Sequence, residues 1–223
     1  MGQTINLNTA GMQCIGAYLA KPTGAPRGGI VVVQEIFGVN AHIRAVADGF
    51  AREGYSAIAP AFFDHVESGV ELGYDGDSFQ RGRALAGEIG FDRAIEDVAS
   101  AAEAIKSSGK VGVVGYCWGG TVALLAATRL ALPAVSYYGA RNVAFLGEKP
   151  QAPVLFHFGE RDSSIPAEAV QKHRDAYPDQ AIHTYPTGHA FNRDVDASHY
   201  DAPSAKLALE RTLAFFDRNL RAD

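Results

Sequence analysis

The sequence contains few cysteines and no paired cysteine motif. Cys14 and Cys117 are the two cysteines among 223 residues, too few for a disulfide framework. They do not form a Cys-x-x-Cys pair, which argues against dithiol redox chemistry. Among the candidate ligands Cys117, Asp162 and His189, no two stand at the short spacing of zinc ligands. We therefore expect no metal, and a Cys117 that remains a thiol.

The sequence also lacks a block of basic residues and a long apolar run. The formal net charge is −5, which argues against nucleic acid as a partner. No apolar run approaches the roughly 18 residues that cross a bilayer. The first residues show no basic segment followed by an apolar one, so no signal peptide is expected. These features predict a cytoplasmic protein without a membrane or nucleic-acid partner.

Short apolar strands alternate with helical segments along the whole chain. The content of 47% hydrophobic and 20% charged residues is typical of a globular protein with a sizeable core. The alternation predicts a three-layer α/β fold, with a mostly parallel sheet and helices on both faces. No linker divides the chain, so a single domain over 1–223 is expected.

The pattern of residues predicts the individual elements. The predicted strands are Met12–Leu19, Gly29–Gln34, Tyr55–Ala59, Lys110–Val114, Ala134–Tyr138, Pro153–Phe158 and Ala181–Tyr185. The predicted helices are Ala41–Glu53 with Asn40 as N-cap, Ser78–Glu88, Asp92–Lys106, Thr121–Leu130, Pro166–Ala176 and Ser204–Asn219. The segment 62–77 has no period, and is either a loose surface excursion or part of a lid or substrate rim. Cys14, in an alternating strand, is interpreted as a packing residue.

A reactive residue stands where one predicted strand meets the next helix. Cys117 has Gly115 two residues before it and Gly119 two residues after it. This Gly-x-Cys-x-Gly spacing between a strand and a helix is typical of a nucleophile elbow. Side chains at the two glycine positions would collide with the neighbouring strand and helix. The alternative is a buried cysteine in a glycine-rich turn.

Other ionisable residues follow further strands at their carboxyl ends, where ligands bind in such sheets. Glu35, Asp162 and His189 each follow a predicted strand. The chain order Cys117, Asp162, His189 is the nucleophile–acid–histidine order of α/β-hydrolases. In that chemistry Cys117 attacks a carbonyl carbon, His189 transfers the proton and Asp162 orients the imidazole. Asp162 could instead cap the helix that begins near Pro166.

The oxyanion formed by such an attack needs two N–H donors. The backbone of Trp118, directly after the nucleophile, and of Ile36, in the loop after an early strand, are the candidates. His157 and His183 lie inside predicted strands and are interpreted as structural histidines rather than catalytic ones.

Three segments carry a resemblance to a known family. Gln34–Asn40 reads Gln-Glu-Ile-Phe-Gly-Val-Asn, Gly115–Gly120 contains the cysteine elbow, and Gly188–Phe191 contains His189. In these segments the sequence resembles the dienelactone hydrolase family. The resemblance implies a compact α/β-hydrolase fold without a large cap domain and without a cofactor or metal. It also implies a small lactone substrate, notably dienelactone, which the family hydrolyses to maleylacetate.

The resemblance also implies roles for individual residues. The family's triad matches Cys117, Asp162 and His189, and its additional glutamate, which contacts the thiol and helps to deprotonate it, matches Glu35. The family binds the substrate carboxylate with two arginines. Arg193 matches one of them, and Arg81 matches the other, with Arg83 as the alternative.

We therefore expect a monomeric hydrolase that cleaves a small ester or lactone through a thioester at Cys117. A carboxylesterase or thioesterase of broad specificity, without a requirement for an anionic substrate, is the nearest alternative. A non-catalytic binding protein with the same fold and a redox sensor based on Cys117 are further alternatives.

Overall fold

The computed structural model describes residues 2–10 and 13–221. Strands and α-helices alternate along these residues, as the sequence predicts. The strands are β1 (Gln3–Asn8), β2 (Cys14–Ala20), β3 (Gly29–Val33), β4 (Ser56–Pro60), β5 (Val111–Tyr116), β6 (Ala134–Tyr137), β7 (Val154–Gly159) and β8 (Ala181–Tyr185). The α-helices are α1 (Ala41–Arg52), α2 (Gly76–Ile105), α3 (Trp118–Arg129), α4 (Ala167–Ala176) and α5 (Ala202–Leu220). No helix of the described residues is both long and apolar enough to cross a membrane.

The described residues form two compact units. One contains the residues up to Val113 together with Leu220 and Arg221, and the other is Val114–Asn219. The single domain expected over 1–223 stays a prediction.

In the first unit the strand order is β1-β2-β4-β3. β1 and β2 are antiparallel, as are β2 and β4, whereas β3 and β4 are parallel. Every residue of β3 and β4 is buried, which explains their continuous apolar sequence. Helices α1 and α2 both contact β3 and β4.

Two expectations about the amino-terminal strands are corrected. β1 is not among the predicted strands, because its short alternation of polar and apolar residues is a weak signal. The predicted strand Met12–Leu19 begins at Cys14 in the structure, and Met12 lies outside the described residues. The interpretation of Cys14 as a packing residue is wrong, because its side chain is exposed. Cys14 is the first residue of β2, where the alternation places Ile15, not Cys14, in the core.

The predicted helix boundaries are close to the observed ones. Asn40 is the N-cap of α1, with its side-chain oxygen accepting from the Ile43 N–H. The two helices predicted over Ser78–Glu88 and Asp92–Lys106 correspond to α2, which is interrupted at Gly90 with φ 69° and ψ 174°. A positive φ is readily adopted by glycine, so Gly90 separates the two helical segments as predicted.

The segment 62–77 is tied to the first unit. Phe62 and Phe63 are buried in a short 3₁₀ helix. The Asp64 carboxylate accepts from the Gly16 and Gly69 N–H groups at 2.7 and 2.8 Å. The interpretation as a loose surface excursion is therefore wrong, and a role in a substrate rim stays a prediction.

In the second unit, which contains β5 from Val114 onward, the strand order is β5-β6-β7-β8, with β6, β7 and β8 parallel. A buried polar chain crosses its core. Thr212 Oγ1 lies 2.7 Å from the Tyr137 hydroxyl and 3.1 Å from His157 Nε2, and His157 Nδ1 lies 2.7 Å from the Tyr185 hydroxyl. Burial lowers the pKa of His157 well below its ordinary value, so the ring is neutral. The interpretation of His157 as a structural histidine is confirmed.

Replacing Thr212 by valine tests this chain. Valine has nearly the same shape, but it leaves the buried Tyr137 hydroxyl and His157 Nε2 without the threonine oxygen. We expect the free energy of unfolding to fall by about 1–3 kcal/mol, measured by urea denaturation. Thr184→Val is the matched control, because the Thr184 hydroxyl bonds Glu160 at the surface. Equal losses in the two variants would contradict the role assigned to Thr212.

Candidate active site

The backbone at Cys117 makes a sharp turn between β5 and α3. Cys117 has φ 56° and ψ −114°, a conformation that side chains rarely adopt and that costs on the order of 1–3 kcal/mol. Its N–H donates to the Tyr137 carbonyl at 3.0 Å, and its own carbonyl accepts from the Gly120 N–H at 3.0 Å. These bonds hold the strained turn. α3 therefore begins at Trp118, earlier than the predicted Thr121.

The glycines around Cys117 are required by close backbone contacts. A Cβ at Gly115 would lie 1.8 Å from the Gly119 carbonyl oxygen. A Cβ at Gly120 would lie 2.5 Å from the Tyr137 carbonyl oxygen. A side chain at Gly115 would therefore collide with the backbone of α3, as the elbow pattern predicts, and one at Gly120 would collide with the backbone of β6.

The loops after β7 and β8 lie against each other. A Cβ at Gly159 would lie 2.4 Å from the Gly188 carbonyl oxygen, so only glycine allows this approach. The Arg161 N–H donates to the Thr187 carbonyl at 2.9 Å. The parallel pairing of β7 with β8 brings both loops to one edge of the sheet. The residues that follow, Asp162 and His189, are thereby brought together.

Asp162 and His189 form a short hydrogen bond. His189 Nδ1 donates to Asp162 Oδ2 at 2.6 Å, and the Asp162 side chain is fully buried. The other oxygen, Oδ1, accepts from the Ser164 N–H at 2.8 Å. Helix α4 has Pro166 as its N-cap residue, so the alternative in which Asp162 caps that helix is wrong.

The imidazole of His189 also hydrogen-bonds the Cys117 side chain. Burial, the largest influence on this imidazole, lowers its pKa. The charge of Cys117, together with hydrogen bonds to Asp162 and Cys117, outweighs burial and raises the pKa of His189 to about 10. The ring of Tyr138, the residue after β6, lies 5.0 Å from the His189 ring.

The side chains of Cys117, His189 and Asp162 together have the groups needed for nucleophilic chemistry. A sulfur, an imidazole and a carboxylate in one hydrogen-bonded series can form a nucleophile, move a proton and stabilise an imidazolium. Trp118 is the first residue of α3, and a helix N-terminus favours a negative charge beside it.

Three of the predicted site residues lie in the first unit. Glu35 and Ile36 directly follow Gln34 and are 1% and 6% exposed. The Ile36 carbonyl oxygen lies so close to α2 that a Cβ at Gly82 would be 1.9 Å from it. Arg81 is exposed, and its Nη2 donates to both carboxylate oxygens of Glu67 at 2.5 and 2.6 Å. The roles of Glu35, Ile36 and Arg81 stay predictions.

Arg193 lies in the loop that follows His189. Its side chain is only 7% exposed, unlike a solvated surface arginine, and Nη1 donates to Asp196 Oδ2 at 3.0 Å. Asp196 is not among the predicted site residues, although an acidic residue three positions after a candidate arginine is a local signal. Tyr138 is also not among them, since it is assigned to the preceding strand.

Two further observations concern charged groups of the described residues. His65 Nε2 lies 2.9 Å from the buried Asp97 carboxylate, a pair distant in sequence that no local pattern indicates. Within 2–10 and 13–221, no three His, Cys, Asp or Glu side chains are grouped so that they could hold a metal ion.

Replacing Cys117 by alanine tests the coupling between the thiol and His189. Without the sulfur, burial remains and two of the influences that raise the His189 pKa are lost. We expect that pKa to fall from about 10, as measured by NMR titration of the imidazole. His183 is the internal control, because its pKa is lowered mainly by burial and should not change. An unchanged His189 pKa would contradict the coupling.

The same shift predicts a dependence of stability on pH. Because the folded-state pKa of His189 lies above its ordinary value of 6.5, its contribution is complete below about 6.5 and is lost as pH rises through about 10. We expect the free energy of unfolding to fall more steeply with rising pH over this range in the native protein than in Cys117→Ala. Denaturation curves at several pH values measure this, and equal slopes would contradict it.

Known proteins are similar to this chain in sequence and in fold. The model of the dienelactone hydrolase family matches residues 15–220. A carboxymethylenebutenolidase of Pseudomonas putida is 36% identical over 213 residues, which cover 90% of this chain and 89% of the relative. Carboxymethylenebutenolidase 1 of Cupriavidus pinatubonensis is 32% identical over 210 residues, with 89% of each chain covered.

Solved structures agree with these sequence relatives. The crystal structure of a candidate dienelactone hydrolase from Klebsiella pneumoniae has a TM-score of 0.86 and 31% identity, covering 97% of this chain and 98% of that one. An esterase of Pyrococcus furiosus has a TM-score of 0.71 and 14% identity, covering 98% and 92%. The predicted α/β-hydrolase fold, with a mostly parallel sheet and no large cap domain in the described residues, is confirmed. The chain belongs to the dienelactone hydrolase family, whose members are hydrolases of ester or lactone bonds.

Proposed function

We propose that this protein hydrolyses a small lactone or ester, most closely a dienelactone-like substrate, through a thioester at Cys117. The observation that carries the proposal is the hydrogen-bonded series Asp162–His189–Cys117, with Cys117 held at φ 56° at the start of α3. The relatives named carboxymethylenebutenolidase support the substrate class. The reaction would convert 4-carboxymethylenebut-2-en-4-olide to maleylacetate.

In the first half of the reaction Cys117 acts as the nucleophile. Its thiolate sulfur attacks the lactone carbonyl carbon, so a C–S bond forms and the carbonyl oxygen becomes an oxyanion. The Trp118 N–H at the helix start and the Ile36 N–H in the loop after β3 donate to that oxygen. The intermediate collapses as the ring C–O bond breaks. The leaving oxygen takes the proton held by His189 and leaves a thioester on Cys117.

In the second half water replaces the substrate oxygen. The neutral His189 accepts a proton from water, and the resulting hydroxide attacks the thioester carbon. The C–S bond breaks, the acid is released and Cys117 returns to thiolate beside the protonated imidazole. Asp162 holds Nδ1–H throughout, which keeps the imidazole oriented and stabilises its charge.

Substrate recognition and thiol activation rest on further residues. Arg193 and Arg81 bind the substrate carboxylate, because guanidinium groups bind carboxylates with paired hydrogen bonds. Glu35 is proposed to help deprotonate the thiol, as the resemblance implies. We propose a cytoplasmic monomer whose partner is the small ester or lactone itself, without a cofactor, nucleic acid or membrane.

One observation favours a second candidate function. Arg193 already bonds Asp196, and Arg81 already bonds Glu67. A carboxylate near each guanidinium offsets part of the attraction for an anionic substrate. A broad carboxylesterase or thioesterase without an anion requirement is therefore the alternative. Comparison of charged and neutral esters of similar size separates the two.

Replacing Cys117 by alanine tests the nucleophile. Because the thioester cannot form, we expect turnover of dienelactone and of p-nitrophenyl acetate to fall by at least about 10³-fold. Cys14→Ala is the matched control, since Cys14 is exposed and should be dispensable. Turnover in Cys117→Ala equal to that of the native protein would rule out the mechanism.

Replacing Arg193 by alanine tests recognition of the carboxylate. We expect KM for dienelactone to rise about tenfold through the loss of a charge-assisted hydrogen bond, with little change for p-nitrophenyl acetate. Arg218→Ala, at an exposed position in the last turn of α5, is the control. Equal effects on the two substrates would remove Arg193 from substrate recognition and favour the broad esterase.

A further inference from the structure

The loop after His189 is organised around one carboxylate. Asp196 Oδ2 accepts from Arg193 Nη1 at 3.0 Å and from His199 Nδ1 at 2.8 Å. Its other oxygen, Oδ1, accepts from the Ser198 N–H at 3.1 Å and from the Ser198 hydroxyl at 2.5 Å. The Asp196 N–H donates to the Arg193 carbonyl at 3.1 Å. Both the side chain and the backbone of Asp196 are therefore bonded to Arg193.

The loop is also fixed at its two ends. The Arg193 N–H donates to the Ala190 carbonyl at 2.9 Å, directly after His189. The Asp201 N–H donates to the Phe191 carbonyl at 3.0 Å, where α5 is about to begin. Ala190 adopts a positive φ of 60°, and Phe191 is fully buried. The position of Arg193 is thereby tied to Ala190, the residue next to His189.

Asp196 remains charged under ordinary conditions. Burial raises its pKa, but hydrogen bonds from Ser198, Arg193 and His199 outweigh burial and lower the pKa to about 2. A charged carboxylate makes a stronger bond to guanidinium than a neutral group does.

An arginine side chain has many rotamers, and restricting them costs conformational entropy. An arginine that is already held in one rotamer binds an anion more tightly, because that cost does not fall on the binding step. The guanidinium is planar, so a bond at Nη1 orients its other N–H donors as well. The Arg193 side chain is 7% exposed and that of Asp196 is 15% exposed, so the pair is shielded from most of the water that would weaken the bond.

We infer that Asp196 is a positioning residue for Arg193, and that it sets the preference of the enzyme for carboxylate-bearing over neutral substrates. The inference rests on the proposed function, because it assigns the anion to Arg193. Asp196 acts through the orientation of the guanidinium and does not touch the substrate. The opposite effect, in which its negative charge merely repels the substrate carboxylate, has the opposite sign in the experiment.

Steady-state kinetics of Asp196→Asn, Arg193→Ala and the double variant test the inference. We expect Asp196→Asn to raise KM for dienelactone about tenfold, with kcat and the kinetics of p-nitrophenyl acetate little changed. In the Arg193→Ala background the same substitution should have almost no further effect, because Asp196 acts through Arg193. Asp194→Asn is the matched control, since it removes one charge from an exposed position of the same loop.

A second measurement does not depend on hydrolysis. Iodoacetate and iodoacetamide both alkylate a thiolate, as the C–S bond forms while the C–I bond breaks and iodide leaves. Iodoacetate carries a carboxylate where iodoacetamide carries a neutral amide. The alkylation rate with iodoacetate divided by that with iodoacetamide, measured at Cys117, therefore reports recognition of the anion. We expect the ratio to fall in Asp196→Asn and in Arg193→Ala. The exposed Cys14, followed on its own peptide by mass spectrometry, is the internal control and should keep its ratio.

The two measurements separate the possible failures. Suppose that hydrolysis does not depend on Cys117, but the alkylation ratio is still lower in both variants. That result would overturn the proposed function and support the positioning role. A lower KM for dienelactone in Asp196→Asn, an equal effect on both esters, or an unchanged alkylation ratio at Cys117 would overturn the positioning role. An effect of Asp196→Asn that persists in full without Arg193 would also overturn it.

Discussion

The arrangement of the candidate site depends on two hydrogen bonds of the His189 imidazole, one to Asp162 and one to Cys117. Burial disfavours a charged imidazole, yet Asp162 on one side and Cys117 on the other raise the pKa of His189 to about 10. A buried ion is stable only when its partners are held in good geometry. The close approach of Gly159 to Gly188 and the bond from Arg161 to Thr187 provide that geometry. The loops after β7 and β8 therefore hold Asp162 beside His189 through contacts of their backbones.

The strained turn at Cys117 has the same origin. Its positive φ is unfavourable in isolation and persists because the surrounding backbone determines it. The bond from the Cys117 N–H to Tyr137 ties the turn to the end of β6, and the contacts at Gly115 and Gly120 leave no space for side chains. The proposed preference for substrates that carry a carboxylate depends on other residues, Arg193 and Asp196.

Much of the fold could be predicted from the sequence, because its signals are local. The apolar runs of β3 and β4, the cap at Asn40 and the break at Gly90 are each encoded by a few adjacent residues. The errors arose where local signals are weak. β1 is not predicted because its short alternation of polar and apolar residues is a weak signal. Cys14 is exposed because the alternation of β2 places Ile15 in the core instead. The catalytic roles of Cys117, Asp162 and His189 stay predictions, as do the roles of Glu35, Ile36, Trp118, Arg81 and Arg193.

The sequence by itself determined the order of Cys117, Asp162 and His189, and the glycine spacing that forces a turn at the cysteine. Both are properties of neighbouring residues and of chain order. Only the tertiary structure decided which groups are bonded to one another. His65 finds Asp97 across 32 positions, and Asp196 gathers Arg193, Ser198 and His199 in an irregular loop. Such contacts have no period along the chain, because they depend on where folded segments meet.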